Sequence, residues 1–223
     1  MNALSPAMRL SGIARAIDPY YSSVDVLLPL TKDGNDAGPS ARTITVAGTP
    51  TYSSAGAALD GLTEYFQYSG TAIGTSEFII DGRFSLDIVT DEMIFDYRPV
   101  ATNGAYPTLL VSSGALTYYV DSANKISGGS LSSSTVYYFA VFRKSGTTYL
   151  QLDDQILGSF SDSFTYLAPS SRPRIAASGF SGAATGGTFK DFRVTIGTDR
   201  ARAASISGST ADVPGSPFPT TGP

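Results

Sequence analysis

The sequence predicts an all-β protein: a single antiparallel β-sandwich of jelly-roll type, preceded by a short helical arm and followed by an extended tail. Three observations carry that expectation. First, apolar residues recur with period two, as in Phe84, Leu86 and Ile88, in Leu150 and Leu152, and in Phe192, Val194 and Ile196, so each segment presents one face to a core. Second, turn signals such as Asp33-Gly34-Asn35, Asp60-Gly61, Asn103-Gly104, Ser113-Gly114, Ser145-Gly146 and Gly186-Gly187 recur at short intervals; such spacing joins antiparallel strands through hairpins and longer crossovers. Third, helical spacing is confined to residues 5–18.

That first segment opens on Ser5-Pro6, an N-cap followed by proline at the first helical position, and places Leu10, Ile13, Ala14 and Ile17 on one stripe before Asp18-Pro19 ends it. The stripe Leu10, Ile13 and Ile17 must be buried somewhere. It docks on its own domain, inserts into a neighbouring subunit as an assembly arm, or stays disordered. Strands are expected over 24–30, 42–47, 64–68, 76–80, 84–88, 93–98, 107–112, 115–120, 136–142, 148–152, 155–160, 172–177 and 192–196, with Asp81-Gly82 read as a turn. The run 136–142 is apolar on both faces, so it belongs in the middle of a sheet covered on each side. Beyond Arg202 the chain loses all periodicity, and prolines at 214, 217, 219 and 223 forbid a central strand. This tail lies over a neighbouring surface or is mobile. The expected division is an arm over 1–19, a sandwich over 20–200 and a Pro/Gly/Ser/Thr-rich tail over 201–223.

Composition excludes whole classes of chemistry. The 223 residues include no Cys, His or Trp, so thiol and imidazole catalysis, disulfides and Cys- or His-ligated metals are absent. Charged residues are only 15% of the chain and the net charge is −4. No basic stripe exists to neutralise phosphates, which argues against a nucleic-acid partner. The first twenty residues are broken by Arg9 and Arg15, and the longest uncharged stretch, 99–120, is interrupted by Pro107, Gly104 and Gly114. Neither a secretory signal nor membrane insertion is expected.

Three constellations remain. Asp33, Asn35 and Asp36 form an oxygen-rich loop that suits an Asx turn or a weak Ca²⁺ site, and Asp153-Asp154 could add a second pair of oxygens. Asp91, Glu92 and Asp96 are the nearest approach to a carboxylate pair. On a regular strand Glu92 and Asp96 share a face about 13 Å apart, beyond the roughly 5–9.5 Å that glycoside hydrolysis needs, while Asp91 and Asp96 face opposite sides. They read as solvated strand-end acids, and no catalytic residues are assigned. Tyrosines cluster as Tyr20-Tyr21, Tyr118-Tyr119 and Tyr137-Tyr138, with Tyr149 nearby in the hairpin. Alternation turns one of each pair outward. Tyr20, Tyr21, Tyr118, Tyr119 and Tyr149 are therefore candidates for a protein interface, for ordinary sheet pairing or for a glycan platform.

The order of segments resembles one known family. Residues Tyr20–Leu30 with the following Asp-Gly turn, Ala58–Phe66, Phe84–Val89, the hairpin Val136–Gly146 with Thr148–Asp154, Phe189–Ile196 and the ending Pro217–Thr220 are similar to the LamG-like, concanavalin A-like lectin/glucanase jelly rolls found in bacteriophage virion proteins. The chain departs from the family where Val136 or Tyr137 stands in place of a tryptophan, and where Asp153-Asp154 replaces an Asn-Gly turn. The family's Glu-x-Asp-x-Glu catalytic run is missing. The resemblance implies a non-enzymatic virion structural protein, a head decoration or a tail or fibre component, assembled in the host cytoplasm. Its partners would be other virion proteins and copies of itself, with possible adhesion to host glycan. Calcium at loop edges is the one cofactor the family suggests. The alternative is a carbohydrate-binding module for cell-surface glycan.

Overall fold

The computed structural model describes residues 17–168 and 173–223. In chain order the strands are β1 (Val24–Leu28), β2 (Ile44–Ala47), β3 (Thr51–Ser53), β4 (Gly56–Asp60), β5 (Tyr65–Tyr68), β6 (Phe78–Leu86), β7 (Asp91–Asp96), β8 (Thr108–Ser112), β9 (Ala115–Val120), β10 (Ala123–Gly128), β11 (Tyr137–Lys144), β12 (Thr147–Leu152), β13 (Gln155–Ser161), β14 (Arg174–Ile175) and β15 (Gly186–Ile196). Short 3₁₀ turns at Tyr21–Ser23 and Ala203–Ser205 are the only helical elements among the described residues. No helix there is long and apolar enough to cross a membrane.

Two antiparallel sheets result. One runs β13-β12-β11-β6-β15-β4-β3, with β1 also on β15; the other runs β10-β9-β8-β7-β14-β5-β2. Their inner faces share one core, with Phe78, Phe84, Phe139, Phe189 and Phe192 from the first sheet meeting Phe66, Phe95, Leu109, Leu116 and Tyr118 from the second. The run that is apolar on both faces becomes β11, flanked by β6 and β12. Its second face packs with Leu27, Ile79 and Phe218 on the outside of the first sheet. The turn signals Ser113-Gly114 and Ser145-Gly146 sit between paired strands with positive φ at both residues, as tight hairpins require.

Two turn signals are overturned. Asp81-Gly82 lies inside β6, a single strand where two were expected, because Asp81 finds a partner across the sheet: Arg193 donates Nε and Nη2 to it at 3.0 and 2.6 Å. Gly186-Gly187 likewise opens β15. Gly187 is there for close approach, at φ 143°, where a Cβ would stand 2.1 Å from the Ser85 carbonyl oxygen. The strands β3, β4 and β10 were not anticipated, and the segment expected over 172–177 shrinks to the two residues of β14.

The termini meet on the outer face of the first sheet. Phe218 is buried there under the guanidinium of Arg193, 3.8 Å from its ring centre. Ser216 donates to Asp191 at 2.6 Å, and the amide of Asp18 donates to the Thr221 carbonyl at 3.0 Å. Gln151 Nε2 donates to the carbonyls of Ala211 and Asp212. The C-terminal segment is thus a strap over its own sheet. Leu10 and Ile13 lie outside the described residues, whereas Ile17 is solvent-exposed and belongs to no helix or strand.

Candidate binding cleft

The five singled-out tyrosines do not converge. Tyr118 is a core residue whose hydroxyl donates to Tyr166 at 2.9 Å, and Tyr166 donates to Asp162 at 2.8 Å. Burial pushes the Tyr118 and Tyr166 hydroxyls above the ordinary phenol value. Tyr149 stacks on Phe142, centroids 5.1 Å apart, outside the first sheet. Tyr20 carries the Arg200 guanidinium at 5.1 Å, and Tyr21 donates its hydroxyl to the Ala37 carbonyl at 2.8 Å. Tyr20 also lines a recess beside Arg193, Arg200 and Phe218, and Tyr119, half-buried on the outer face of the second sheet, reaches a different recess through Arg98.

The oxygen-rich loop is committed to backbone. Asp36 accepts from the amides of Leu27, Gly38 and Arg42, and Asp33 accepts from the Asn35 amide at 3.1 Å in an Asx turn. Among the described residues no group of three or more acidic side chains is placed to hold a metal ion. Asp153 accepts from the Tyr138 amide at 2.8 Å, within the hairpin between β12 and β13.

The recess that has the makings of a site lies on the second sheet, between β7, β8 and the loop 176–185 that follows β14. It is a cleft of about 270 Å³. Its formation turns on a bulge in β7 between Met93 and Phe95. A bulge inserts one residue and reverses the facing of everything beyond it. Glu92 therefore pairs opposite the core residue Val111, whereas Asp96 pairs opposite Thr108 on the outer face. The two carboxylates that a regular strand would place together are separated. Asp91, opposite Ser112, shares the outer face with Asp96, contrary to the regular-strand expectation.

Once outside, the buried Asp96 carboxylate becomes an anchor. It accepts from the Arg98 amide at 3.0 Å, from Arg98 Nε and Nη2 at 2.8 Å each, from Thr108 Oγ1 at 3.1 Å, from Ser178 Oγ at 3.0 Å and from the Phe180 amide at 3.3 Å. The last two pull the loop 178–182 onto the sheet. Gly179 permits this approach, since a Cβ there would sit 2.3 Å from the Arg98 carbonyl oxygen. The guanidinium of Arg98 is held between two rings, 4.9 Å from Tyr119 and 5.0 Å from Phe180. Burial alone would lower the Arg98 pKa; the Asp96 carboxylate outweighs it and holds the guanidinium above its ordinary value. Thr185 closes the far side by accepting the Met93 amide at 2.8 Å.

The cleft therefore combines a fixed, half-buried Phe180 ring, apolar walls from Met93, Leu110 and Ala184, and polar groups at Asp91, Glu92 and Ser181. Burial raises the Glu92 pKa, the Thr185 hydroxyl lowers it, and the nearby Asp87 and Asp91 carboxylates raise it further, for a net rise above 4.5. The folded protein therefore binds the Glu92 proton more tightly than the unfolded chain. The stability attached to that proton is present below the ordinary glutamate range and is lost as pH rises through the higher folded-state value. Glu92→Gln is expected to gain stability over the parent as pH rises from 4 to 7, read as the difference in urea midpoints at the two ends. A pH-independent difference would contradict the assignment.

Sequence reasoning missed Arg98 and Phe180. The available signal was Phe180 itself, one large aromatic in the Gly-, Ser- and Ala-rich stretch 176–187; a bulky ring in a turn segment needs a packing or binding reason.

No protein-family model matches the chain, and neither does any curated protein sequence. Solved structures do. The receptor binding domain of botulinum neurotoxin C/D mosaic serotype superposes with a TM-score of 0.62 at 9% identity, covering 81% of this chain and 49% of that one. The binding domain of botulinum neurotoxin DC in complex with SialylT gives 0.57 at 10%, covering 81% and 50%. A mutant of Trypanosoma rangeli sialidase displaying trans-sialidase activity gives 0.60 at 11%, covering 81% and 32%. The chain spans about half the length of these toxin domains and about a third of the sialidase. At such identities the likeness is one of all-β fold.

Proposed function

We propose that this chain is a non-enzymatic recognition module of jelly-roll type that takes a saccharide in the cleft beside Phe180. One observation carries the reading: an aromatic ring is fixed by the Asp96 and Arg98 anchor at the edge of an apolar recess rimmed by carboxylate and hydroxyl groups. Ligand sites are mostly apolar concavities with a few placed polar groups, and they start near 300 Å³, so this cleft suits one small sugar unit. An apolar ring and hydrogen-bonding acids together match the two faces of a sugar. The likeness to toxin binding domains, one of them solved with SialylT, is in keeping with this reading. A glycan array tests it. The parent protein is expected to retain at least one saccharide, and Phe180→Ala to weaken that retention at least tenfold, about 1.4 kcal/mol. Retention of nothing, or equal retention by the variant, would count against it.

A second reading, the virion building block that the family resemblance implies, draws on a different observation. Leu62, Ile88 and Val136 are 80%, 56% and 67% exposed. They flank one end of β15, where the Gly61 backbone abuts Gly186, the Asp87 amide donates to the Gly186 carbonyl and Val136 borders Thr188. Scattered apolar residues are ordinary, but a cluster suits a protein partner. On this reading residues 20–200 form the rigid body and the segments 1–19 and 201–223 serve its placement among virion proteins and copies of itself. Sedimentation is expected to show self-association that Leu62→Ser with Val136→Ser abolishes; a monomer at all concentrations would remove the support for homo-oligomers.

A further inference from the structure

Two buried guanidinium groups in this protein are matched to carboxylates through one edge, and the buried Arg143 is matched mainly to the carbonyls of Gly74, Ser76 and Phe164. Arg98 places Nε and Nη2 on Asp96, and Arg193 places the same pair on Asp81. This fork geometry is what carboxylate and phosphate oxygens fit. Arg174 and Arg202 each keep a buried Nε without a partner, and of the two only Arg202 lines a recess among two other arginines. It is only 8% exposed, its Nη1 donates to the Asp212 carbonyl, and its Nε is buried with no hydrogen-bond partner. Among the described residues no carboxylate lies within ion-pair distance of it. Residues 1–16 and 169–172 contain no Asp or Glu, so the missing counter-charge is not a side chain from those segments.

The surroundings sharpen the imbalance. Arg202 lines a recess of about 310 Å³ beside Arg193, Arg200, Pro214 and Phe218, and a neighbouring one of about 440 Å³ between the 200–205 turn and the strap at 212–214. Of the three arginines, Arg193 is matched by Asp81 and Arg200 by Asp18, at 2.6 Å each. Arg83 and Asp191 form a separate pair at 3.0 Å, and Asp199 is occupied by the amides of Ala201 and Ala203 and by Lys144. One positive charge is left over in a chain whose net charge is −4. Burial, and then the neighbouring Arg193 cation, lower the Arg200 pKa, and the Asp18 and Asp81 carboxylates offset this only in part.

We infer that the recess under the C-terminal strap is an anion site, in which the unpartnered Nε–Nη2 edge of Arg202 receives the paired oxygens of a carboxylate, phosphate or sulfate group. The site stands apart from the Phe180 cleft, on the other sheet. A phosphate or sulfate group and a carboxylate share the fork chemistry, so inorganic phosphate and acetate are titrated separately at constant ionic strength held with sodium chloride. The readout is the side-chain Nε–H resonance of Arg202 in the parent protein. A saturable shift with phosphate only assigns a tetrahedral oxyanion, and one with acetate only, or with both, assigns a carboxylate-competent site. No saturable shift with either overturns the inference. Thermal shifts provide the second arm: the melting temperature of the parent is expected to rise with the effective anion, and Arg202→Lys, which keeps the charge but loses the fork, to need at least tenfold more anion for the same rise. Equal responses in parent and variant would also overturn it.

Discussion

Asp81→Ala is expected to destabilise the protein by about 3–5 kcal/mol, the cost of leaving a buried charge without its partner. Arg193 is 2% exposed, and its guanidinium is pinned by Asp81 on one edge and by the Phe218 ring on its face. Asp18, 3.8 Å away, is already shared with Arg200 and replaces Asp81 only in part. Tyr138, whose hydroxyl donates to Asp81 at 3.2 Å, loses its acceptor as well. In a chain of this length the loss corresponds to a fall of roughly 6–20 °C in melting temperature. Because isolated burial of the cation is the cause, the double variant Asp81→Leu with Arg193→Met should recover much of the loss, as apolar replacements of buried pairs do. A double variant as unstable as the sum of its parts would show that the geometry of the pair, and not the bare charge, is what the sheet requires.

Asp96→Ala combines a loss of stability with a loss of function. It strips the Arg98 guanidinium of its carboxylate and releases the Ser178 hydroxyl and the Phe180 amide that fold the 178–182 loop against β7. The expected cost is again about 3–5 kcal/mol, and saccharide retention should disappear because the Phe180 ring is no longer fixed. Asp96→Asn separates the two effects. The amide keeps an acceptor for the loop but not the charge, so stability should fall while the folded fraction retains part of its binding. Chemical denaturation and array binding at matched folded concentrations would report both; full saccharide retention by a folded Asp96→Ala would detach the anchor from the site.

What the sequence makes legible is what local chemistry decides. Ser113-Gly114 and Ser145-Gly146 become hairpins because glycine takes positive φ without a steric penalty at the second turn position, and Tyr118 and Tyr119 alternate between core and outer face because a strand has period two. Asp81-Gly82 reads as a turn for the same local reason, yet it is held in a strand by Arg193, 112 residues away. Exposure of the tyrosines was not legible either: Tyr138 points outward from β11 but lies buried beside Phe218, because the strap covers that face. The cleft depends on the β7 bulge, which reverses Asp96, and on a loop whose shape is fixed by tertiary hydrogen bonds to that one carboxylate. Neither leaves a periodic trace. The anion recess was hidden for a related reason, since Arg202 is singled out by an unpartnered Nε and by the recess that the strap forms beside it, both products of tertiary packing.

Backbone amide shifts during titration with an array-retained saccharide report where the sugar sits. Occupation of the cleft beside Phe180 is expected to give saturable changes confined to residues 91–98, 108–112 and 176–185, the elements that build the cleft. Changes confined to the strap at 201–219, or to the apolar rim around Leu62 and Val136, would contradict it.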